Sequence, residues 1–220
     1  MEAEVKPPEQ ALSSNKRVLR VFLWSVLALV IAGIVVANIK SLVYQPREAS
    51  ESVSPLSRLA VHHQLPDFSL TNQHGHMMSL SDLSGKVWVA DFIFTTCPTI
   101  CPPMTDEMVR LQNEFASESE LRFVSFSVDP ERDIPAVLSR YADDFGVDGS
   151  RWAFLTGEKT SIYQLAHEGF NLATGHRGSE ILHSTRFVLV DRQGKVRGYY
   201  DSRSKANLQR LRRDIKTLLR

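Results

Sequence analysis

Cysteine is scarce in this sequence. Of the 220 residues only Cys97 and Cys101 carry a thiol, and three residues separate them. A small extracellular scaffold stapled by disulfides would need more cysteines. A permanent disulfide across so short a loop would also restrict the unfolded chain little, by about 2 kcal/mol in the loop-entropy description. The pair is therefore interpreted as a chemical site, in which reversible disulfide formation can be part of the function.

An excess of charge of one sign is also absent. The 26 basic and 25 acidic side chains leave a formal net charge of +1. Proteins that bind nucleic acids concentrate a basic field on one surface. The composition therefore predicts no nucleic-acid partner.

One long apolar run is present, in residues 21–39, and it contains no charged side chain. A helix of this length would span about 28 Å, close to the hydrocarbon thickness of a bilayer. The sequence thus predicts a single transmembrane anchor at 21–39, after a cytoplasmic segment at 1–20 and before a tether at 40–64. The basic residues Lys16, Arg17 and Arg20 favour a cytoplasmic N-terminus.

Two other readings of the N-terminus remain open. A cleaved signal peptide would use the small residues Val35, Val36 and Ala37 near its cleavage point, although the apolar run exceeds the usual signal core. A mitochondrial presequence is disfavoured, because such segments are poor in acidic residues and Glu2, Glu4 and Glu9 lie here. We expect a single-pass protein of a bacterial inner membrane, with its soluble domain on the periplasmic face.

Residues 65–220 alternate between strand and helix patterns, which predicts an α/β sandwich with a partly parallel sheet. A hairpin at 68–70 and 77–80 comes first. Strands are predicted at 87–94, 121–128, 152–155, 185–190 and 195–200, and helices from Pro102, from Asp133 through Phe145, at 158–170 and at 204–219. A cysteine pair between the first long strand and its helix is typical of a thioredoxin-like fold.

The cysteines precede a predicted helix start, marked by Pro102 and Pro103. The positive end of a helix dipole favours thiolate over thiol, and we expect Cys101 to feel this effect most. Thiolates bind soft ions such as Cu(I) and attack disulfides. Two thiolates leave a copper site short of a third ligand, and His183 stands out among seven histidines by its position just before a strand.

The soluble domain resembles the Sco (SenC) family of cytochrome oxidase assembly factors. The resemblance rests on four stretches in order: residues 66–70 (PDFSL), 92–102 (FIFTTCPTICP), 127–133 (SVDPERD), and His183 ahead of a strand. It implies a thioredoxin fold and copper, as Cu(I) or Cu(II), bound by Cys97, Cys101 and His183. It also implies a partner, the copper-site subunit of cytochrome c oxidase, served by copper delivery or thiol–disulfide chemistry. One departure is Leu182, where the family often has an acidic residue.

Asp129 and Asp133 follow a strand and lie in the family-like stretch. Asp133 is interpreted first as a helix N-cap and Asp129 as a residue that ends a strand. As the alternative, either carboxylate could orient His183 through a hydrogen bond, as metal-bound histidines usually require.

Several residues that suit copper receive ordinary structural interpretations. The segment from His74 to Met78 is predicted to be a hairpin turn, and Met104 and Met108 are predicted to lie in the core. The C-terminal helix carries six basic residues, which are interpreted as a solvated face, with lipid headgroups as an alternative contact. They are Lys205, Arg210, Arg212, Arg213, Lys216 and Arg220.

Three other functions remain open. One is a tethered thiol–disulfide oxidoreductase that uses Cys97 and Cys101 as a redox pair. Another is a peroxiredoxin-like peroxidase, which is disfavoured because Phe94 occupies the place of that family's threonine. A third is a copper sensor that docks a partner without transferring the ion.

Overall fold

The computed structural model describes residues 24–27, 30–31, 59–172, 175–177, 180–182 and 184–220. The chain divides into two compact units, Met1–Ser52 and Val53–Arg220. In the first unit, residues 24–27 and 30–31 are helical. Within the described residues, no helix has the length and apolar character needed to cross a bilayer. Most of the predicted anchor at 21–39 lies outside those residues.

Among its described residues, the second unit contains a mixed eight-stranded sheet, a two-stranded sheet and four α-helices. The strands are β1 (His63–Gln64), β2 (Ser69–Asn72), β3 (Met77–Ser79), β4 (Val87–Ile93), β5 (Leu121–Ser127), β6 (Trp152–Thr156), β7 (Gly175–Arg177), β8 (Glu180–Leu182), β9 (Arg186–Val190) and β10 (Lys195–Asp201). The helices are α1 (Cys101–Glu114), α2 (Pro135–Asp144), α3 (Lys159–Gln164) and α4 (Lys205–Leu219). A short 3-10 helix covers Leu80–Leu83, and a π-helical turn continues α3 over Leu165–Gly169.

The order of strands in the main sheet is β1-β10-β9-β4-β5-β6-β2-β3. Strands β4, β5 and β6 are parallel, and β9 is antiparallel to β4. Strands β7 and β8 form a separate hairpin. The parallel centre must be covered on both faces, which explains why all seven residues of β4 are buried.

Alternate residues of β4 feed two hydrophobic clusters, one on each face of the sheet. Val87, Val89 and Ile93 belong to the first cluster, which the apolar faces of α1, α2 and α4 complete. Trp88, Ala90 and Phe92 belong to the second, which includes Ile162 of α3 and the π-helical turn. Cys97 and Cys101 lie in the first cluster.

The predicted order of elements is confirmed, with ends that shift by one or two residues. Met104 and Met108 are buried as expected, and the segment from His74 to Met78 includes the turn between β2 and β3. Residues 59–64 differ from the predicted tether, because His63 and Gln64 pair with β10 and Leu59 packs against the core. A two-residue strand is too short for its pattern to be recognised in a sequence.

Candidate dithiol and metal centre

The two thiols lie where β4 passes into α1. β4 ends at Ile93, a turn closes with the N–H of Cys97 donating to the Phe94 carbonyl at 3.2 Å, and α1 begins at Cys101. The N–H of Cys101 donates to Sγ of Cys97 at 3.4 Å. Cys97 is 6% exposed and Cys101 is 0% exposed, and no disulfide joins them. Cys97 therefore lies closer to the surface than Cys101.

The pKa values of the two thiols differ in the direction opposite to the prediction: Cys97, and not Cys101, has the lower pKa. Burial raises the pKa of Cys97, but hydrogen bonds from the backbone of Cys101, Thr99 and Ile100 outweigh it, so the pKa is lower than usual. Burial raises the pKa of Cys101 well above its ordinary value, and a hydrogen bond with the Phe94 backbone offsets only part of this rise. The expectation that Cys101 is the more thiolate-like residue is wrong, because the backbone N–H groups point at Cys97.

Asp133 is not the N-cap of α2. The cap residue is Ile134, which has no side-chain capping bond, and Asp133 is fully buried. The Asp133 carboxylate accepts hydrogen bonds from the backbone and hydroxyl of Thr95 and, at 2.6 Å, from the hydroxyl of Ser127. It thus ties the end of β5 to the residue that lies two positions before Cys97.

Asp129 lies two residues beyond the end of β5, so β5 ends before it. Its side chain is almost fully buried and forms an ion pair with Arg132, with 2.8 Å between Oδ2 and Nη1. Its backbone carbonyl accepts from the N–H groups of Arg132 and Asp133. The observed role of Asp129 is to fix the loop between β5 and α2.

His183 lies outside the described residues, between Leu182 of β8 and Ser184. The strand that follows it, β9, runs antiparallel to β4, with Val190 opposite Trp88 and Val188 opposite Ala90. The N-terminal end of β9 therefore lies at the same end of the sheet as the C-terminal end of β4, which leads to the cysteines. In the described part of the chain, no group of three or more His, Cys, Asp or Glu side chains is arranged to hold a metal ion.

Asp91 is a residue near the site that the sequence interpretation missed. It lies in β4, is 0% exposed, and neither carboxylate oxygen has a hydrogen-bond partner of normal geometry. Burial raises its pKa to about 7, and its neighbour Ser125 on β5 acts in the opposite direction. Its charge also raises the pKa of Cys101. An acidic residue within the apolar run VWVADFIF was the available signal.

Comparison with known proteins identifies the domain. The profile of the SCO1/SenC family matches residues 59–220. A SCO1 protein homolog of Bacillus subtilis is 40% identical over 140 residues, which cover 62% of this chain and 72% of the relative.

Two solved structures share the fold. The structure of BsSco, described as a member of the Sco family of cytochrome c oxidase assembly proteins with a disulfide switch, is 37% identical with a TM-score of 0.64, and the match covers 71% of this chain and 94% of BsSco. Yeast Sco1 with copper bound is 25% identical with a TM-score of 0.57, and the match covers 70% of this chain and 88% of that one. Residues 59–220 form a thioredoxin-like α/β domain, and the chain belongs to the SCO1/SenC family.

Proposed function

We propose that this protein is a membrane-anchored copper carrier, which binds copper through Cys97, Cys101 and His183 and takes part in assembling the copper centre of cytochrome c oxidase. In this proposal the N-terminal apolar run, residues 21–39, anchors it in a bacterial inner membrane. The soluble domain then faces the periplasm. Copper is the cargo, and its recipient is the copper-site subunit of the oxidase.

The observation that carries the proposal is the pair of thiols at the start of α1. The two side chains lie close together, since the Cys101 N–H reaches Sγ of Cys97 at 3.4 Å and the thiols interact with each other. Soft thiolate ligands suit Cu(I), so the donor set fits this ion. Bound thiols must lose their protons, and the backbone N–H groups around Cys97 lower that cost at one sulfur.

His183 is proposed as the third ligand because of the sheet topology. Ser184 follows His183 and lies two residues before β9. The N-terminal end of β9 lies beside the C-terminal end of β4, from which the chain continues to the cysteines. An imidazole suits both Cu(I) and Cu(II), so a ligand from this loop would let the site hold either oxidation state. The family membership and the copper-bound yeast relative support copper as the ion of this site.

A second candidate function, thiol–disulfide exchange, is favoured by the unequal pKa values of the two thiols. The Cys97 thiolate would attack a partner disulfide, form a mixed disulfide and release one partner thiolate. Cys101 would then lose its proton and attack Sγ of Cys97, which closes the Cys97–Cys101 disulfide and releases the second partner thiolate. Two electrons pass to the partner. The disulfide switch described for BsSco is consistent with this chemistry.

Copper titration of the full-length protein in detergent tests the proposal. The wild type, Cys97→Ser, Cys101→Ser and His183→Ala are titrated with Cu(I) under anaerobic conditions against a chromophoric competitor, and with Cu(II) by absorbance. His74→Ala, in the exposed turn between β2 and β3, is the matched control. We expect one equivalent of copper in the wild type and the control, and weaker binding in the other three variants.

A transfer assay separates the two functions. The copper-loaded protein is mixed with the apo copper domain of the oxidase subunit in reduced form, and copper is followed by its spectrum. Movement of copper to the subunit supports the carrier. Unchanged copper binding in His183→Ala, together with rapid reduction of a disulfide in the oxidised subunit, would replace the carrier with the oxidoreductase.

A further inference from the structure

A polar cavity lies in the same domain, and neither Cys97 nor Cys101 lines it. It has a volume of about 550 Å³ and lies between residues 59–62, β10 and α4. Three arginines line it: Arg197 from β10, and Arg210 and Arg213 from α4. Neither the copper carrier nor the oxidoreductase described above uses this cleft.

The charge of Arg197 is already compensated. Its Nη1 lies 2.9 Å from Oδ2 of Asp191, and both side chains are largely buried. Its other guanidinium nitrogens donate to the carbonyl groups of Leu59 and Ala60. Arg197 therefore builds the wall of the cleft and holds the segment 59–62 in place, but it contributes little net charge.

Arg210 and Arg213 have no carboxylate partner within the described part of the chain. Arg210 lies over the Tyr200 ring, 4.9 Å from its centroid, and donates to the Tyr199 carbonyl at 2.9 Å. Both side chains are exposed, and residues three apart on a helix lie on the same face. By contrast, their neighbour Arg212 pairs with Glu107 and Glu114 on α1.

One carboxylate lines the cleft, that of Asp214, and it is engaged by the Tyr200 hydroxyl at 2.7 Å. Two uncompensated guanidinium groups against this single carboxylate leave the cleft with a net positive charge. His62 also lines it. A concave site with a positive surplus and aromatic walls favours a compact anion.

We propose that this cleft binds a phosphate-class anion, held by the guanidinium groups of Arg210 and Arg213. The planar fork of a guanidinium matches two oxygens of a phosphate group, and Arg is the residue best suited to such bidentate contacts. The same chemistry is presented by inorganic phosphate and by the phosphodiester of an anionic lipid headgroup. In the sequence, the cleft wall at 59–62 follows the proposed anchor at 21–39, which makes a headgroup a relevant source.

The test measures the thermal midpoint of the full-length protein in nonionic detergent as a function of inorganic phosphate, at constant ionic strength. A ligand that binds the folded state raises the midpoint in a saturable way. Phosphate also stabilises proteins non-specifically by exclusion from their surface, so the comparison is between variants. The variants are Arg213→Gln and Arg210→Lys, with Arg220→Gln as the matched control for loss of one charge from the end of the chain.

We expect Arg213→Gln to weaken the apparent affinity for phosphate by about tenfold, as for loss of a charge-assisted contact. Arg210→Lys keeps the charge but loses the fork, and should weaken it less. Arg220→Gln should behave like the wild type. Arg213 is exposed, and within the described part of the chain its side chain forms no hydrogen bond or ion pair, so its variant should fold normally. Identical phosphate curves for the wild type and Arg213→Gln would rule out inorganic phosphate as the ligand of the cleft.

A second arm identifies the source of the anion. The same proteins are placed in mixed micelles that contain either phosphatidylglycerol or phosphatidylcholine. A rise in midpoint with phosphatidylglycerol that Arg213→Gln abolishes assigns the cleft to a lipid headgroup. A response to inorganic phosphate alone assigns it to a soluble phosphate. No variant-sensitive response in either arm would refute the site.

Discussion

At the scale of single residues, the dithiol owes its asymmetry to backbone geometry. The turn before α1 directs N–H groups at Sγ of Cys97, while Cys101 lies fully buried within the first hydrophobic cluster. A sulfur with N–H donors holds negative charge more readily than one surrounded by hydrocarbon. The two cysteines are therefore chemically unequal, although they are close in sequence.

This inequality predicts the order of alkylation. Alkylating reagents react with the thiolate and not with the thiol. An ordinary cysteine thiol has a pKa of about 8.5, and the pKa of Cys97 is lowered, so Cys97 should become reactive at a lower pH than an ordinary cysteine. Near pH 7, iodoacetamide should label Cys97 at least about tenfold faster than Cys101 in the reduced protein without copper. Site-resolved mass spectrometry gives both rates, and Cys97→Ser isolates the reaction of Cys101. Earlier labelling of Cys101 would contradict the assignment.

Asp133 gives a second residue-scale prediction. Asp133→Asn keeps the shape but removes the charge and presents an amide N–H₂ group to Thr95 and Ser127, which donate to the carboxylate. We expect the free energy of unfolding to fall by about 1–3 kcal/mol, as for a buried network that loses a charged acceptor. Urea unfolding measures the change. Asp106→Asn, at an exposed position on α1, is the control and should change stability little. A loss in Asp133→Asn no larger than in the control would show that this network adds nothing to stability.

At the scale of elements, the sequence predicted what local patterns determine. The apolar run of β4, the prolines after Cys101 and the helical spacing of Met104, Met108 and Leu111 each indicate an element without reference to the rest of the chain. The role of Asp133 was mispredicted because an acidic residue before Ile134 and Pro135 has the local signature of a cap. Its actual partners lie on β5 and on the turn before α1, which local sequence does not reveal.

The site was predictable in the same uneven way. The cysteines and their place between β4 and α1 followed from the residues, whereas the order of their pKa values depended on N–H directions that a sequence does not specify. The two-residue strand β1 and the hairpin β7–β8 were missed because each element is too short to show a period. The assignment of His183 as a ligand stays a prediction.

The entry of the chain into the domain gives an element-scale prediction. Arg197→Lys keeps a charge for Asp191 but cannot also hold the carbonyl groups of Leu59 and Ala60. We expect faster hydrogen exchange at the amides of His62 and Leu65, which donate to β10 and to the turn before it. Arg203→Lys, in the exposed pair with Asp201, is the control. Equal exchange in the wild type and Arg197→Lys would show that the segment does not depend on this arginine.

At the scale of the whole molecule, the buried Asp91 links stability to pH. Its pKa is about 7 in the folded state and about 3.9 when unfolded, so between these values the folded state binds more protons. Its contribution to stability is therefore present at low pH and is lost as pH rises toward 7, by a few kcal/mol in total. Above pH 7 both states are ionised and the dependence ends.

The variant Asp91→Asn removes this titration. We expect it to be more stable than the wild type near pH 8, and the difference between the two proteins should shrink as the pH is lowered toward about 5. Urea unfolding at several pH values measures the difference, and Asp106→Asn again serves as the control for loss of one carboxylate. A difference that does not vary with pH over this range would mean that Asp91 has the same protonation state in the folded and the unfolded protein, so that burial does not raise its pKa.

The unequal exposure of the two sulfurs also determines which of them a partner molecule can react with first. A partner that approaches from solvent meets Cys97 first, because Cys101 has no exposed surface. A covalent adduct can thus form first only at Cys97. Cys101 reacts only after Cys97 has formed that adduct. In a Cys101→Ser protein, no second thiol could resolve a mixed disulfide formed at Cys97. This variant should therefore stay covalently bound to its partner.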